Sequence, residues 1–567
     1  MNWGVKVMKS KTSLFKQGLI LSDLKRYWWV SVIFSLFLIL TMPMAHYMQK
    51  FNINIDKSNT QYIKEFIANE LSYTRGISVI YPVVIPVIIA VLAYRYIHKG
   101  RQASLYHSLP VTRAELYFNS LVSAVILYVL PLLVNVFVMG LLNSFSFLSD
   151  FYTMGLIFKW FGLSVLYGIL FMSMTIFVGM FTGSAIAQIV FVYILNLLPL
   201  FFFETIKINL SSLLYGFSTF SYTGLYRKLP MTMLLSSTIQ HTPRIIISYI
   251  VLSVLLLVGG LVAFKLRRPE TAGDIITFKP IRPVFIYGVT VCSTLVGGAY
   301  FLGISRSSVS FAVFGYFLCA LIGYVVVQML TNKTFKVLNT YKGYVGYALV
   351  LIIMLLGVKF DIFGYINKVP AADEVANVYM GYNLYWWENQ DSEKYTNMSN
   401  DNTTVYKETS NIKNIIELHK MALDNRSKNG FSTYIAYTLK NGKKIVRYYS
   451  IDTNLYASAL GPIYESNEYK YGRFPILHQE ANDIKFIQVH DYSNKKQPTV
   501  ISDKEKLKNF ITEMRKDING FNYEQLATSA EDKLWIDIND NNDRIVSYGV
   551  NSNYTNTLNW FNSNNYQ

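Results

Sequence analysis

The sequence is poor in the residues and motifs that carry most catalytic, redox and metal chemistry. Only two cysteines occur among 567 residues, Cys292 and Cys319, and both lie inside apolar runs, where packing is a simpler interpretation than a disulfide. The chain has no GxxxxGK[ST] phosphate loop and no HExxH, CxxC or GxSxG motif, and no two of its seven histidines are spaced i, i+4. We therefore expect no enzyme activity, no cofactor and no metal site in this chain.

Charge is also scarce, and it is unevenly placed. Charged residues make up 15% of the chain and hydrophobic residues 52%, against about 25% charged in a typical soluble domain. Residues 1–370 carry 30 Lys and Arg against 10 Asp and Glu, whereas residues 371–567 carry 22 against 25. A basic excess confined to the apolar part is typical of the cytoplasmic loops of a membrane protein. Because the polar part is slightly acidic, we expect no nucleic-acid partner.

Long apolar runs are abundant. A helix needs about 20 apolar residues to cross the hydrocarbon core of a bilayer. Runs of about this length predict an all-α polytopic membrane domain with about nine transmembrane helices, near 28–47, 77–94, 118–142, 161–181, 185–203, 245–264, 283–303, 311–330 and 345–362.

The basic residues that flank these runs predict an orientation. They cluster in the N-terminal segment and in the stretches 95–113, 265–282 and 333–342, which lie in alternate loops. The positive-inside rule therefore predicts a cytoplasmic N-terminus, and an odd number of spans then predicts that residues after 365 are extracytoplasmic.

Residues 371–567 have the composition of a water-exposed α+β domain. Apolar spacing predicts helices over 411–423, after Ser410 as a possible N-cap, and over 504–517. Residues 433–451 predict a hairpin with the two-residue turn Asn441-Gly442, and 534–538 with 544–550 predict a second one.

No Asp, Glu, Lys or Arg lies well inside a predicted span. A charge at the centre of a membrane helix costs about 2.5–3.5 kcal/mol on insertion scales, so it is retained where it has a role, as in proton or ion relays. Its absence argues against a pump or an ion-coupled carrier. The energy for any transport would have to come from a partner.

The stretch His98–Ser120, between the second and third predicted spans, has a pattern of its own. Residues 103–109 are long enough for a short helix that Pro110 stops, and Thr112 is placed to cap the helix that follows. The simpler interpretation is a basic cytoplasmic turn that obeys the positive-inside rule. The alternative is a docking segment for another protein.

Two short motifs favour the docking segment. SLYHSLPVTRAELY, within that stretch, and KLRRPETAGD, at 265–274, resemble loops of ABC-2-type transporter permeases of Gram-positive bacteria. The resemblance implies a bacterial cell-membrane protein from a subset of these permeases that has extra spans and an extracytoplasmic C-terminal domain. Its implied domains are an interfacial N-terminal helix (1–27), a six-span core (28–268), three additional spans with a linker (269–370) and an extracytoplasmic α+β domain (371–567).

The resemblance also implies partners and a site. A cytosolic ATP-binding cassette subunit would dock on a coupling segment, with Leu105, Tyr106 and Leu109 as buried anchors and Arg101 and Arg113 as orienting charges. The full candidate site is Arg101, Ser104, Leu105, Tyr106, His107, Leu109, Pro110 and Arg113. A second permease, either the same chain or a paralogue, and membrane lipids complete the expected partners. The implied function is export of an amphiphilic cargo of a lipid-like, peptide or drug type.

Two other functions remain open on the sequence. One is a sensor or antibiotic-resistance complex, in which the extracytoplasmic domain binds a cell-wall-active peptide or a cell-wall intermediate. The other is a membrane-anchored binding protein without energy coupling.

Overall fold

The computed structural model describes residues 15–55, 60–73, 79–219, 229–235, 242–268, 277, 280–305, 308–384, 387, 404–426, 430–491, 498–527, 531–541 and 545–564. The chain forms two compact units. The first, which we call the helical unit, comprises Met1–Ile206 and Tyr222–Tyr347. The second, the C-terminal unit, comprises Lys207–Ser221 and Ala348–Gln567.

The long apolar runs form helices. In chain order these are α1 (Gln17–Thr41), α2 (Pro43–Ile55), α3 (Thr60–Leu71), α4 (Tyr81–Ala93), α5 (Gly100–Ser108), α6 (Arg113–Phe145), α7 (Met154–Phe181), α8 (Ala185–Leu213), α9 (Pro230–Leu235), α10 (Pro243–Leu266), α11 (Ile281–Ile304), α12 (Val309–Asn332) and α13 (Tyr341–Lys359). Eight helical stretches within the described residues are long and apolar enough to cross a membrane. The prediction is therefore confirmed for a mostly helical domain with many helices of membrane-spanning length, of which the described residues contain eight where about nine were predicted.

The second predicted span differs from the others. Its helix, α4, has 13 residues and ends at Ala93, where a 3-10 turn, Arg95–His98, takes over. Pro82 in its first turn and Pro86 inside it are compatible with a short helix, because proline removes a backbone donor. The predicted residues 77 and 78 lie outside the described part of the chain.

The first span begins earlier than the apolar run suggested. Helix α1 starts at Gln17 and continues without a break past residue 27. The boundary predicted at 27 is therefore not a break between two helices. Lys16 and Leu19 lie at its start, where the Lys16 ammonium is 3.7 Å from the Glu115 carboxylate of α6.

Small residues allow close packing in the helical unit. A side chain at Gly297 of α11 would collide with the Gly315 carbonyl oxygen of α12, and one at Gly168 of α7 would collide with the ring of Tyr128 in α6. Small residues at such contacts are typical of helices that pack within membranes, where the surrounding lipid is as apolar as the side chains.

The C-terminal unit contains two four-stranded antiparallel sheets with the same strand order. The first sheet has the order β2-β1-β3-β4, from β1 (Val375–Gly381), β2 (Val405–Tyr406), β3 (Phe431–Leu439) and β4 (Lys444–Ile451). The second has the order β6-β5-β7-β8, from β5 (Ile484–Asp491), β6 (Thr499–Ile501), β7 (Asp532–Asp540) and β8 (Ile545–Asn551).

The helices repeat with the strands. A 17-residue helix follows the second strand of each sheet, α14 (Thr409–Asn425) in the first and α17 (Lys504–Gly520) in the second. A further helix follows each closing hairpin, α15 (Ala457–Tyr464) and α19 (Thr555–Ser563), while α16 (Asn467–Arg473) and α18 (Tyr523–Ala527) have no such counterpart among the described residues. We call the two ββαββα arrangements the first and second copies.

The register between the first and third strands of each sheet repeats as well, whereas a shift in the β7–β8 pairing at Asp532 and Leu534 has no counterpart in β3–β4. Pairing of β1 with β3 shifts by one residue between Val375 and Asn377, and pairing of β5 with β7 shifts in the same way between Ile484 and Phe486. An irregularity at the same place in both sheets supports an internal duplication of one structural unit.

The sequence predictions for this unit hold for its two long helices and two hairpins, with two corrections. Ser410 lies inside α14, whose N-cap is Glu408. The first hairpin turns through Lys440, Asn441 and Gly442, because only Gly442 has a positive φ (+79°), whereas a two-residue type I′ turn needs two such residues.

Candidate docking helix and buried polar clusters

A reciprocal cap fixes the chain just after α5. The Thr112 hydroxyl accepts a hydrogen bond from the Glu115 backbone N–H (3.2 Å), and the Glu115 carboxylate accepts one from the Thr112 N–H (2.7 Å). This capping box satisfies backbone donors at the start of α6 that would otherwise lack partners. The predicted cap is confirmed, and the turn that carries Pro110 is anchored between α5 and α6.

Helix α5 presents apolar side chains to its surroundings. Leu105 is 63% exposed and Leu109, just after the helix, is 37% exposed. Tyr106 is only half-buried, since its ring stacks on Tyr96 with the centroids 4.5 Å apart. Of the predicted anchors, the two leucines are therefore the more available to a partner.

The polar members of the predicted site have different environments. Arg101, Ser104 and Pro110 are exposed, and the Ser104 hydroxyl donates to the Gly100 carbonyl within the helix (3.1 Å). The side chain of His107 lies outside the described part of the structure.

Arg113 is engaged within the helical unit. Its Nη1 lies 3.1, 2.9 and 2.7 Å from the carbonyl oxygens of Phe264, Lys265 and Arg267, at the C-terminal end of α10. A guanidinium at a helix C-terminus satisfies unpaired carbonyls and interacts favourably with the helix dipole. The role this geometry gives Arg113 is to hold α10 against the start of α6.

Arg267 connects the end of α10 to the end of α7 and to the 3-10 turn after α4. It is buried, and it donates to the carbonyls of Gly179 (2.6 Å) and Met180 (3.2 Å) near the end of α7, and of Ile97 (3.1 Å) in the 3-10 turn. Two of the basic stretches found in the sequence, 95–113 and 265–268, therefore meet at one end of the helical unit. The motif residues 269–274 lie outside the described residues.

A buried polar cluster links α2 and α3 to the stretch between α6 and α7. His46 Nε2 lies 2.9 Å from a carboxylate oxygen of Glu70, and His46 Nδ1 lies 2.6 Å from the Tyr152 hydroxyl. All three side chains are buried. Sequence reasoning missed this cluster because α3 is too polar for a span and its residues showed no motif.

The C-terminal unit has a polar cluster in its first copy. The two ring nitrogens of His419, in α14, lie 3.1 Å from the Tyr437 hydroxyl and 2.8 Å from the Tyr449 hydroxyl. Burial, and secondarily the positive charge of Arg447, lower the pKa of His419 to about 3. The histidine is therefore neutral at physiological pH.

The second copy has an apolar interior at the same places. The repeated register aligns His419, Tyr437 and Tyr449 with Met514, Ile538 and Val550. Because the fold is built equally well around these apolar residues, the polar cluster is a property of the first copy and not a requirement of the fold.

The segment that follows α8 packs on this cluster within the C-terminal unit. The Gly216 carbonyl accepts a hydrogen bond from the Tyr448 N–H (3.1 Å), and the Tyr215 hydroxyl donates to the Ala422 carbonyl (3.1 Å). The rings of Tyr215 and Tyr449 lie 5.3 Å apart. Gly216 has φ +77°, a left-handed conformation that favours glycine.

The same unit contains a cavity of about 510 Å³. Aromatic residues and one arginine contribute to its lining, among them Tyr382, Phe431, Tyr464, Tyr469 and Arg473. Arg473 Nη1 donates to the Tyr469 hydroxyl (2.6 Å) and to the Leu526 carbonyl (3.0 Å). A cavity with aromatic walls and a positioned guanidinium suits a ligand that has an apolar body and an acidic group.

Comparison with known proteins gives one match, which is confined to the C-terminal unit. Residues 437–534 match a family described as a domain of unknown function, DUF6449. The matched stretch begins inside β3 and ends inside β7, so it includes parts of both copies. No curated protein and no solved structure matches the chain.

Proposed function

We propose that this chain is the permease subunit of an ATP-binding cassette exporter in a bacterial cell membrane. Its N-terminus is cytoplasmic and its C-terminal unit extracytoplasmic, as the distribution of basic residues predicts. The observation that carries the proposal is the exposure of Leu105, on a short helix, and of Leu109, just after it, next to the turn that the Thr112–Glu115 cap fixes. Apolar side chains on an ordered helix outside the apolar runs are typical of a protein-docking surface.

The end of the helical unit around α5 suits the transmission of movement. Arg113 ties the start of α6 to the end of α10, and Arg267 ties α10 to the end of α7. A push on α5 from a cytosolic ATPase would therefore act on several long helices together. Such rigid-body shifts of packed helices are a common form of conformational switching.

The cargo we propose is amphiphilic. A cavity of about 580 Å³ between α7, α8 and α11 is lined by apolar side chains, including Phe177, Phe181, Phe191 and Phe285. Acyl chains and hydrophobic drugs suit such walls better than ions or sugars. ATP-dependent transport of a radiolabelled hydrophilic solute by the reconstituted complex would contradict this part of the proposal.

Photo-crosslinking tests the docking directly. A photoreactive amino acid at position 105, introduced in the native host, is expected to yield an adduct with an ATP-binding cassette protein, identified by mass spectrometry. The matched control is position 338, an exposed leucine in another basic loop (84% exposed). No such adduct at 105 above the level at 338 would refute the proposal.

The cavity in the C-terminal unit favours a second candidate, a sensor or resistance complex. In that function the unit binds a cell-wall-active peptide or a cell-wall intermediate, and Arg473 pairs with an acidic group of the ligand. The full-length chain should then bind a fluorescent cell-wall-active peptide, and Arg473→Gln should weaken this binding by about tenfold. Equal binding by both forms would argue against a role for this cavity.

A further inference from the structure

A cavity of about 370 Å³ lies in the helical unit where α1, the end of α4 and α5 meet. Three cationic side chains line it, those of Arg26, Arg95 and Lys99. All three residues are exposed. The one carboxylate in the lining belongs to Asp23, which is buried, so the lining has a formal excess of two positive charges.

Most of this positive charge has no counterpart in the protein. The side chains of Arg95 and Lys99 form no hydrogen bond or ion pair with any other residue that the structure describes. The Arg26 guanidinium lies 3.5 Å from the Tyr106 hydroxyl and 6.0 Å from the centre of the Tyr27 ring, and among the described residues Asp23 is the one acidic residue that acts on it. Three cations that converge on one space repel one another unless an anion lies between them. The arrangement therefore suits an anionic group supplied from outside the chain.

Residues typical of the membrane interface surround the cavity. Trp28 and Trp29 stand at the start of the first apolar run, and the apolar run of α4 ends at Ala93, beside Arg95. Tryptophan, tyrosine, lysine and arginine at the ends of membrane helices mark the interface between hydrocarbon and water. Trp29 and Leu92 also line the cavity, so it has an apolar side as well as a basic one.

We propose that this cavity binds the phosphate of an anionic phospholipid, with the three cations around the phosphate and the acyl chains along Trp29 and Leu92. Basic pockets between membrane helices recognise anionic lipid headgroups through the same chemistry. The apolar wall is what favours a lipid over free inorganic phosphate. The inference concerns lipid binding alone, and it stands or falls independently of the proposed ATPase partner.

Native mass spectrometry of the full-length chain tests this proposal. Titration with phosphatidylglycerol in detergent is expected to give saturable binding, and titration with phosphatidylcholine much weaker binding. The double variant Arg95→Gln/Lys99→Gln should bind phosphatidylglycerol about thirtyfold more weakly, because each basic residue near an anionic headgroup strengthens binding by about fivefold. The two side chains are exposed and unpaired among the described residues, so their loss should leave the fold intact.

Two further variants sharpen the result. Lys336→Gln/Lys342→Gln removes the same charge from another exposed basic loop and should leave binding unchanged. Asp23→Asn removes the negative charge from the lining and should tighten binding.

Two outcomes would overturn the proposal. One is equal phosphatidylglycerol binding by the wild type and the Arg95→Gln/Lys99→Gln variant. The other is displacement of the lipid by inorganic phosphate at an equal concentration, which would identify a free-phosphate site in place of a lipid site.

Discussion

The helical unit and the C-terminal unit distribute their apolar side chains in opposite ways. In the helical unit, large apolar residues such as Phe137 and Leu255 are more than half exposed, while polar residues such as His46 and Asn135 are fully buried. In the C-terminal unit the apolar side chains fill the interior. The difference shows how to interpret exposed apolar surface in this chain. On the spans a bilayer explains it, and on α5 we propose that a protein partner covers it.

The largest effect on stability is expected from breaking the buried cluster of the helical unit. His46→Leu removes the hydrogen bond that His46 Nε2 makes with the buried Glu70 carboxylate, and should lower the free energy of unfolding by about 3 kcal/mol. Denaturant unfolding of the purified chain in micelles measures this change. Tyr152→Phe is the matched control, since it removes one hydroxyl and should cost about 1 kcal/mol. Equal stability of His46→Leu and the wild type would mean that polar burial does not hold this unit together.

The buried polar residues of the first copy can be replaced by the apolar residues found at the same places in the second copy. His419→Met alone leaves the hydroxyls of Tyr437 and Tyr449 without this partner, and should cost about 2 kcal/mol. The triple variant His419→Met/Tyr437→Ile/Tyr449→Val reproduces the apolar set of the second copy and should recover most of that loss. Unfolding followed by near-ultraviolet circular dichroism gives both values. A triple variant that is less stable than the single one would show that the copies are not interchangeable.

Low pH should destabilise the first copy more than the second. The folded-state pKa of His419, about 3, lies below its unfolded value of about 6.5. Below the unfolded value, the unfolded chain binds a proton that the folded chain does not, so stability falls as the pH falls from about 6.5 towards 3. The stability advantage of the wild type over His419→Met should therefore shrink as the pH falls below about 6.5 and reverse well above pH 3, since methionine does not titrate and the loss is about 1.4 kcal/mol per pH unit. A stability difference that does not change with pH would contradict the burial of His419 in its neutral form.

The smallest effect is expected from helix caps. Thr112→Ala and Thr153→Ala each remove a hydroxyl that accepts a hydrogen bond at the start of a long helix, and each should cost about 1 kcal/mol in thermal unfolding. Only Thr112 lies beside α5, so only Thr112→Ala should also weaken coupling to the ATPase. Equal coupling in the two variants would show that the Thr112 cap does not contribute to the role of α5.

Much of the helical fold follows from hydropathy, because each span is a single long apolar run. Helix α3 is different, since its buried apolar residues, Ile63, Ile67 and Leu71, lie on one face. In α2, the buried hydrogen-bond partner of His46 is Tyr152, which lies far away in the sequence. The strands β1 and β5 were also not predicted. Each of them pairs on one side with a strand, β3 or β7, that lies tens of residues further along the chain.

The internal duplication was hidden in the sequence for a physical reason. The two copies keep buried positions and register, whereas side chains change between polar and apolar, as from His419 to Met514. The connection between the first two strands also differs in length, since it runs from Gly381 to Val405 in the first copy and from Asp491 to Thr499 in the second. For the docking site, sequence patterns predicted α5 and the cap at Thr112, but not that Arg113 binds the end of α10, because that contact spans the folded unit.

ATP hydrolysis by the reconstituted complex tests the central claim most directly. The chain would be combined in lipid with the proposed ATP-binding cassette subunit, and hydrolysis compared between the wild type, Leu105→Asp/Leu109→Asp and Leu338→Asp. We expect the double variant to lose the permease-dependent part of hydrolysis and Leu338→Asp to retain it, because a buried carboxylate disrupts an apolar contact. Full permease-dependent hydrolysis in the double variant would contradict the docking role of α5.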